Sequence, residues 1–356
     1  MTAAGLLSPR ERETWPPRAK LVPEVAAAVH FAGRLSSSSA IARHLVLAYR
    51  PGSQSPDDLS AIADHVREID PTIRTFIVPA NQRNTLIRSM AAERPTLVVS
   101  AGRMRKFKPL RGRIYQGRPI AKVEEIHRLE MAGLPVPKAA LLTPDLRLDP
   151  AEWGEFVILK PTDIKTSSHG RGIQLMRTGR VRYVAPGDYP EDHPGRLGPM
   201  IVQRYIDSGP LPGIYRVLTL MGEPLYAVSI RGKDAAVDPA ADDAAIERAV
   251  VATQAYVAPQ RAFIEEADVL ALARAAHEAI PEIPLKGCDI IREATTGKLY
   301  VLEVNSGGNT WHFSSGYFSA LRRELGEDFV STMHRQFDAF RTAARVLAAR
   351  TVEEAE

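Results

Sequence analysis

The 356-residue sequence predicts a mixed α/β protein in which a small parallel α/β domain precedes two lobes built on antiparallel strands. Three observations predict it. Between positions 44 and 100, short apolar runs alternate with segments of helical spacing, as in a parallel sheet with covering helices. The segments 156–161 and 172–177 read as two strands around a long polar loop. The segments 288–292 and 299–304 read as two more, joined by Thr295-Thr296-Gly297-Lys298.

Residues 1–43 start irregularly, contain prolines and the serine tract 36–39, and read as an extension of unassigned role. The run His44-Leu45-Val46-Leu47-Ala48-Tyr49 reads as a buried strand. It is followed by a helix over 59–69, a strand over 74–78, a short helix over 86–92 and a strand over 96–100. A second unit opens near Pro119. Its helix over 122–132 has Val123, Ile126, Leu129 and Glu130 as its stripe, and Gly133 is placed to end it. The prolines of Leu134-Pro135-Val136-Pro137 then keep the chain extended.

After the hairpin over 156–177 come strands over 200–206, 215–221 and 225–231, the last two joined by the turn sequence Gly222-Glu223-Pro224. Residues 234–257, rich in Ala and Asp, show no clear pattern. A helix over 265–280, the hairpin over 288–304 and a closing helix over 329–349 complete the chain. The expected units are an extension (1–43), the α/β domain (44–118), a central lobe (119–200) and a C-terminal lobe (201–350).

Composition narrows the classes. Charged residues make up 25% and hydrophobic ones 45%, the balance of a soluble globular protein. No apolar run approaches the ~18–20 residues that span a bilayer, so no membrane segment is expected. The apolar stretch 25–32 follows Glu24 and contains His30, which argues against a signal peptide. The single cysteine, Cys288, excludes an intramolecular disulfide and fits a reducing cytoplasm. A net charge of +4 suits an anionic small molecule such as a nucleotide and is too small and dispersed for nucleic acid. The densest basic run, 103–108, reads as a solvated loop.

Three constellations carry chemistry. On the last hairpin, Glu303 and Asn305 share a strand face because side chains alternate. With a loop over 294–298, Glu293 pairs with Leu299, and the same register sets Asp289 opposite Glu303. Two carboxylates and an amide oxygen form a hard donor set suited to Mg²⁺; taken alone, the same residues also read as a surface hairpin with incidental acids. Second, Lys160 ends a buried strand before the loop containing Ser167, Ser168, Gly170 and Gly172. Backbone N–H groups and hydroxyls there suit phosphate, although an ordinary hairpin tip has the same composition. Third, Arg216 and Arg231 fall across from each other if 222–225 is the loop, a pair suited to a carboxylate or phosphate or, equally, an exposed strand face.

The order of these pieces resembles the ATP-grasp superfamily, which includes D-alanine–D-alanine ligase, glutathione synthetase and the ribosomal-protein glutamate ligases. The resemblance covers about 119–315, with the preceding domain over 44–118 matching more loosely. It rests on Lys122 before Gly133-Leu134-Pro135-Val136-Pro137, Lys160 before the Gly/Ser loop, and the interlobe strand Val202-Gln203-Arg204-Tyr205-Ile206. Arg216 on the next strand and the set Asp289, Glu303 and Asn305 complete it.

The resemblance implies ATP as cosubstrate and one or two Mg²⁺, with Mn²⁺ as a substitute, held by Asp289, Glu303 and Asn305. Lys122, Lys160, Ser167, Ser168, Gly170 and Gly172 are then the phosphate contacts, and Gln203, Arg204, Tyr205 and Ile206 line the adenine. Arg216, Arg231 and Lys160 are the catalytic side chains. Gln203 stands where relatives often carry Glu, and the Pro-Gly turn common after the asparagine is replaced by Ser306-Gly307-Gly308.

The implied reaction phosphorylates a small-molecule carboxylate and couples it to an amine, or less often a thiol. A phosphotransferase and a silent nucleotide-binding module are the competing readings. His312 stands as either a general base or a structural imidazole. Residues 103–108, Tyr115 and 311–313 are the places to look for substrate contacts. A homodimer is common among relatives.

Overall fold

The computed structural model describes residues 40–162, 172–233, 238–249 and 259–356. The extension predicted over 1–43 and the loop bearing Ser167, Ser168, His169 and Gly170 therefore lie almost wholly outside the described residues.

The first sheet is parallel, as predicted. Strands β1 (Arg43–Tyr49), β2 (Ile73–Pro79), β3 (Thr96–Ser100) and a short strand missed in the sequence, β4 (Arg113–Gln116), lie in the order β2-β1-β3-β4. Helix α1 (Pro56–Ile69) begins three residues before the predicted start. Proline sits in its first turn, where no N–H is needed, and the Ser55 side chain accepts the Asp57 N–H. Helix α2 (Thr85–Ala91) covers the opposite face, where Val46, Phe76, Ile87, Val98 and Phe107 cluster.

Helix α3 (Lys122–Met131) ends as predicted: Gly133 has φ +71°, and the Leu134 N–H bonds the Leu129 carbonyl. Its buried side chains are Glu125 and Leu129, whereas Val123 and Glu130 are exposed. The stripe thus contains an acid that the sequence reading left out.

A second, antiparallel sheet contains β5 (Ala139–Leu141), β6 (Phe156–Pro161), β7 (Gln174–Arg177) and β8 (Met200–Arg204) in the order β5-β8-β6-β7, with the single-turn α4 (Pro150–Trp153) beside it. The third sheet takes β9 (Gly213–Leu220), β10 (Glu223–Arg231), β11 (Gln260–Phe263), β12 (Leu285–Arg292) and β13 (Leu299–Asn305) in the order β11-β10-β9-β12-β13. A short helix, α5 (Asp243–Glu247), follows β10. Helix α6 (Ala267–Glu278) packs Val269, Ala273 and Ala276 on the face of the third sheet formed by Val217, Cys288 and Ile290. Lys286, fully buried on that face, donates to the carbonyl of His277 in the last turn of α6, where a cation also complements the helix dipole.

Two turns correct the predicted registers. The β9–β10 turn is Met221-Gly222, both at positive φ (49° and 95°), so Glu223 and Pro224 belong to the strand. The shorter turn pairs Arg216 with Val228 and Arg231 with Gly213, instead of Arg216 with Arg231. In the last hairpin Arg292, not Glu293, pairs with Leu299. A bulge at Leu302 then restores the register, so that Asp289 does face Glu303.

The closing helix is three helices, α7 (Ser319–Leu325), α8 (Glu327–Arg335) and α9 (Ala339–Glu354), with Asp338 at φ +46° before the last. Helix α9 turns back to the parallel sheet. Ala343, Ala344 and Leu347 join Ile62, Val66, Leu45 and Leu97 in one core, and Thr96 and Glu356 exchange backbone hydrogen bonds. No helix among the described residues is long and apolar enough to cross a membrane.

The segment after β13 is locked against the C-terminal ends of β1 and β3. The Gln54 amide donates to the Gly308 carbonyl (2.8 Å), and Asp58 accepts the Trp311 indole N–H (2.7 Å). Gly308 sits at φ +82°, and a Cβ there would lie 2.5 Å from the Ala101 carbonyl oxygen. Gly308→Ala is therefore expected to destabilise the protein by about 2 kcal/mol or more, read as a lowered urea midpoint. An unchanged midpoint would show that this junction yields.

Candidate active site

The site is a row of side chains across the third sheet. Val228, Arg216, Asp289 and Glu303 are successive cross-strand neighbours on β10, β9, β12 and β13. Cβ alternation sends Val217, Cys288 and Val304 to the α6 side, so Arg216, Asp289 and Glu303 share the other face. Arg216 holds Asp289 bidentately, Nε to Oδ1 and Nη2 to Oδ2 at 2.7 Å each. Asn305, two residues beyond Glu303, turns its amide nitrogen to Asp289 (3.3 Å).

Two lysines arrive from other elements. Lys122, at the start of α3, has Nζ 2.5 Å from Glu303 and 3.9 Å from Glu125. Lys160, near the end of β6, donates to Gln203 Oε1 on β8 at 2.6 Å. Buried Glu125 accepts the backbone N–H of Val304 at 2.9 Å.

These contacts set the charge states. Burial works against ionised Lys122, but Glu125 and Glu303 outweigh it and leave the ammonium more basic than usual. Burial also works against ionised Glu303, yet Lys122, then Lys160 and Arg216, hold its carboxyl below the usual range. Burial raises Glu125. Burial, reinforced by repulsion from Lys122, lowers Lys160 to about 8, because its hydrogen-bond partner Gln203 is neutral.

Beside the row, Ile206, Ile291, Tyr300 and Leu302 form a small apolar cluster. It lies where β8 runs out toward the last hairpin, and Ala294 N–H bonds the Asp207 carbonyl there (2.8 Å). Tyr205 packs edge-on against Phe156, and its hydroxyl is raised to about 12 by burial. Arg204 is taken up by Glu293 (2.8 Å).

The structure thus brings together Lys122, Lys160, Gln203, Arg216, Asp289, Glu303 and Asn305, with Ile206 at the margin. It separates Arg231, which the three-residue change of register puts on the opposite face of β10 from the row. Gly172 is described, at φ +71° against Pro194. His312 is a structural imidazole: fully enclosed, stacked on Phe318 at 4.2 Å, bonded through Nδ1 to the Tyr226 hydroxyl (2.7 Å) and lowered to about 3 by burial. Trp311 and Phe313 are core residues, and Tyr115 bonds Glu354. Glu125 is the site residue that sequence reasoning missed. Its signal was an acid three residues after Lys122, on the same helix face as buried Leu129.

The donor set fits a hard divalent cation. Among the described residues no three His, Cys, Asp or Glu side chains form a metal cluster. Two carboxylates plus an amide oxygen is, however, what Mg²⁺ takes when phosphates and water supply the rest. Glu303 accepts from Lys122 through Oε1, a carboxylate has about four acceptor positions, and the Asn305 carbonyl oxygen is free of the bond its nitrogen makes.

No protein-family model matches the sequence, and no curated protein does. Solved structures similar to this chain include two ligases and a synthetase. The ATP-grasp ligase PsnB, complexed with minimal precursor, Mg and ADP, is 15% identical over 86% of this chain and 98% of that one, with a TM-score of 0.46. D-cycloserine synthetase DcsG is 16% identical over 85% and 99%, with a TM-score of 0.44. D-alanine–D-alanine ligase from Bacillus anthracis is 15% identical over 87% and 100%, with a TM-score of 0.40. These superpositions are loose, each with a TM-score below 0.5.

Lys160 gives the site a pH dependence. Charged Lys160 attracts an anion and neutral Lys160 does not, so the affinity for an added anion such as ADP, if Lys160 contacts it, should fall as pH rises from 7 to 9, by up to about tenfold per unit above the free-state value. Bound phosphate moves the midpoint upward. Lys160→Met should flatten the profile in a calorimetric titration; a wild-type affinity that is constant over this range would count against Lys160 as a phosphate contact.

Proposed function

We propose that this chain is an ATP-grasp ligase that uses Mg-ATP to phosphorylate a substrate carboxylate and passes the acyl group to an amine. The observation that carries the reading is the convergence of Lys122, Lys160 and Arg216, from three separate elements, on the paired carboxylates Asp289 and Glu303. Cations surrounding a hard oxygen donor set suit a metal-bound polyphosphate, and their order in the chain is that of the resemblance set out above.

The residues divide the work by position. Lys122 and Lys160 bind the phosphates of ATP, and Gln203 orients the Lys160 ammonium. Ile206, Ile291, Tyr300 and Leu302 supply the apolar wall against which an adenine ring packs. Asp289, Glu303 and Asn305 hold Mg²⁺, which when bound screens the charge on the phosphates. Arg216, fixed in plane by Asp289, faces the transferring phosphoryl group.

The substrate carboxylate oxygen attacks the γ-phosphorus, the bond to the β–γ bridging oxygen breaks, and ADP leaves. The amine nitrogen then attacks the acyl carbon, the C–O bond to phosphate breaks, and the amine proton is lost to solvent. The protein contributes positioning and charge compensation, with no covalent intermediate of its own. The substrates are a small carboxylic acid and an amine of amino-acid or peptide type, and the reaction needs neither nucleic acid nor membrane.

The test is ADP release from Mg-ATP with pooled small carboxylic acids and hydroxylamine. Hydroxamate formation is the expected result; ADP release without hydroxamate would favour a phosphotransferase. Glu303→Ala and Lys160→Ala should each lower turnover by at least about a hundredfold with unfolding midpoints near wild type. A folded Glu303→Ala enzyme of full activity would remove the cation site from its assigned place.

A further inference from the structure

Glu125 plays no part in the reaction as written, yet it is the most enclosed carboxylate near the site. It is 2% exposed, one turn into α3. A buried acid needs compensation, and this one has two partners of different kinds. Oε1 accepts the Val304 N–H at 2.9 Å, and Oε2 lies 3.9 Å from the Lys122 ammonium.

The first bond reaches β13 at the residue between Glu303 and Asn305, on an edge strand whose outward N–H groups have no neighbouring strand. The Val304 side chain is buried on the other face, in one cluster with Leu129 of α3. Residue 304, between the two proposed cation ligands, is therefore tied to α3 through its backbone N–H, and its side chain shares a core cluster with that helix. The second contact shares Lys122 between Glu125 and Glu303, the latter at 2.5 Å. A divalent cation taken up by Glu303 competes with that ammonium for the same carboxylate. Once Glu303 turns to the cation, Glu125 is the anion left beside Lys122.

We propose that Glu125 is a positioning residue of the nucleotide site: it fixes β13 and keeps a counter-charge on Lys122, so that Glu303 can exchange the lysine for a divalent cation. The inference rests on the cation site and on Lys122 as a phosphate contact. Without Glu125's charge, Lys122 loses one of its nearest counter-charges and clings more tightly to Glu303. The cation then has to displace a tighter ion pair.

The experiment is calorimetric binding of ADP over a series of Mg²⁺ concentrations, with no turnover, on the full chain. The proteins are wild type, Glu125→Gln, Lys122→Met and the double variant. The glutamine carbonyl still accepts the Val304 N–H, so Glu125→Gln is expected to unfold at a wild-type urea midpoint. Its half-saturating Mg²⁺ concentration is expected to rise about 10- to 100-fold, the usual effect of losing a group that orients a metal ligand. In the Lys122→Met background the same change should shift it less than about twofold, because Glu125 acts through Lys122.

A wild-type Mg²⁺ requirement in Glu125→Gln, or an equal shift with and without Lys122, would overturn the proposal. So would an unfolded Glu125→Gln, which would make the charge part of the fold. Wild-type protein that binds no ADP at any Mg²⁺ concentration would instead overturn the reading of the site on which the proposal stands.

Discussion

Burying ionised groups is costly unless each finds its opposite, and this fold places Lys122, Lys160 and Arg216 among Glu125, Asp289 and Glu303. The three cations come from a helix and two different sheets. The register of the third sheet follows from this requirement. A slip of one residue would turn Arg216 and Asp289 toward α6 and exchange them with Val217 and Cys288, leaving charges in an apolar core. The bulge at Leu302 belongs to the same constraint: Val301 and Val304, three apart, both reach the α6 face, and Glu303 stays on the row.

The site is polar on one side and apolar on the other. Lys160, Lys122 and Arg216 gather at one end, while Ile206, Ile291 and Tyr300 form a small cluster of their own that Leu302 links to the main core. An amphipathic ligand, charged at one end and a flat ring at the other, matches that division better than a uniformly polar one. His312 and Tyr226 lie behind Arg216 as a closed pair, so the histidine supports the floor of the site and is not available for proton transfer.

Much of this was legible in the residues. Long elements with strong periodicity, such as β1, α1, β6 and β12, declared themselves, and so did the pairing of Asp289 with Glu303. That pairing came out right through two compensating differences, a tighter hairpin end and a bulge, neither of which has a sequence signal. Arg231 was misplaced because Gly222-Glu223-Pro224 reads as a turn, whereas Met221 takes a positive φ that its identity does not advertise. The short strands β4, β5 and β11 have too few residues for a period to show. Glu125 was passed over because an acid on a helix defaults to solvent, and only the lysine and strand edge arriving from elsewhere make its burial tolerable.

Helix α9 completes the core over the parallel sheet, and the last residue, Glu356, bonds Thr96 on β3 in both directions. For a chain made from its N-terminus, the parallel sheet therefore emerges before the other two sheets, and the helix that completes its core emerges after them. At about 5–20 residues per second, the interval between β3 and α9 is on the order of tens of seconds. During that time α1 alone, through Ile62 and Val66, covers the face carrying Leu45, Leu47, Leu97 and Val99. The apolar surface left open in the nascent chain is thus the strip that Ala343, Ala344 and Leu347 of α9 eventually occupy.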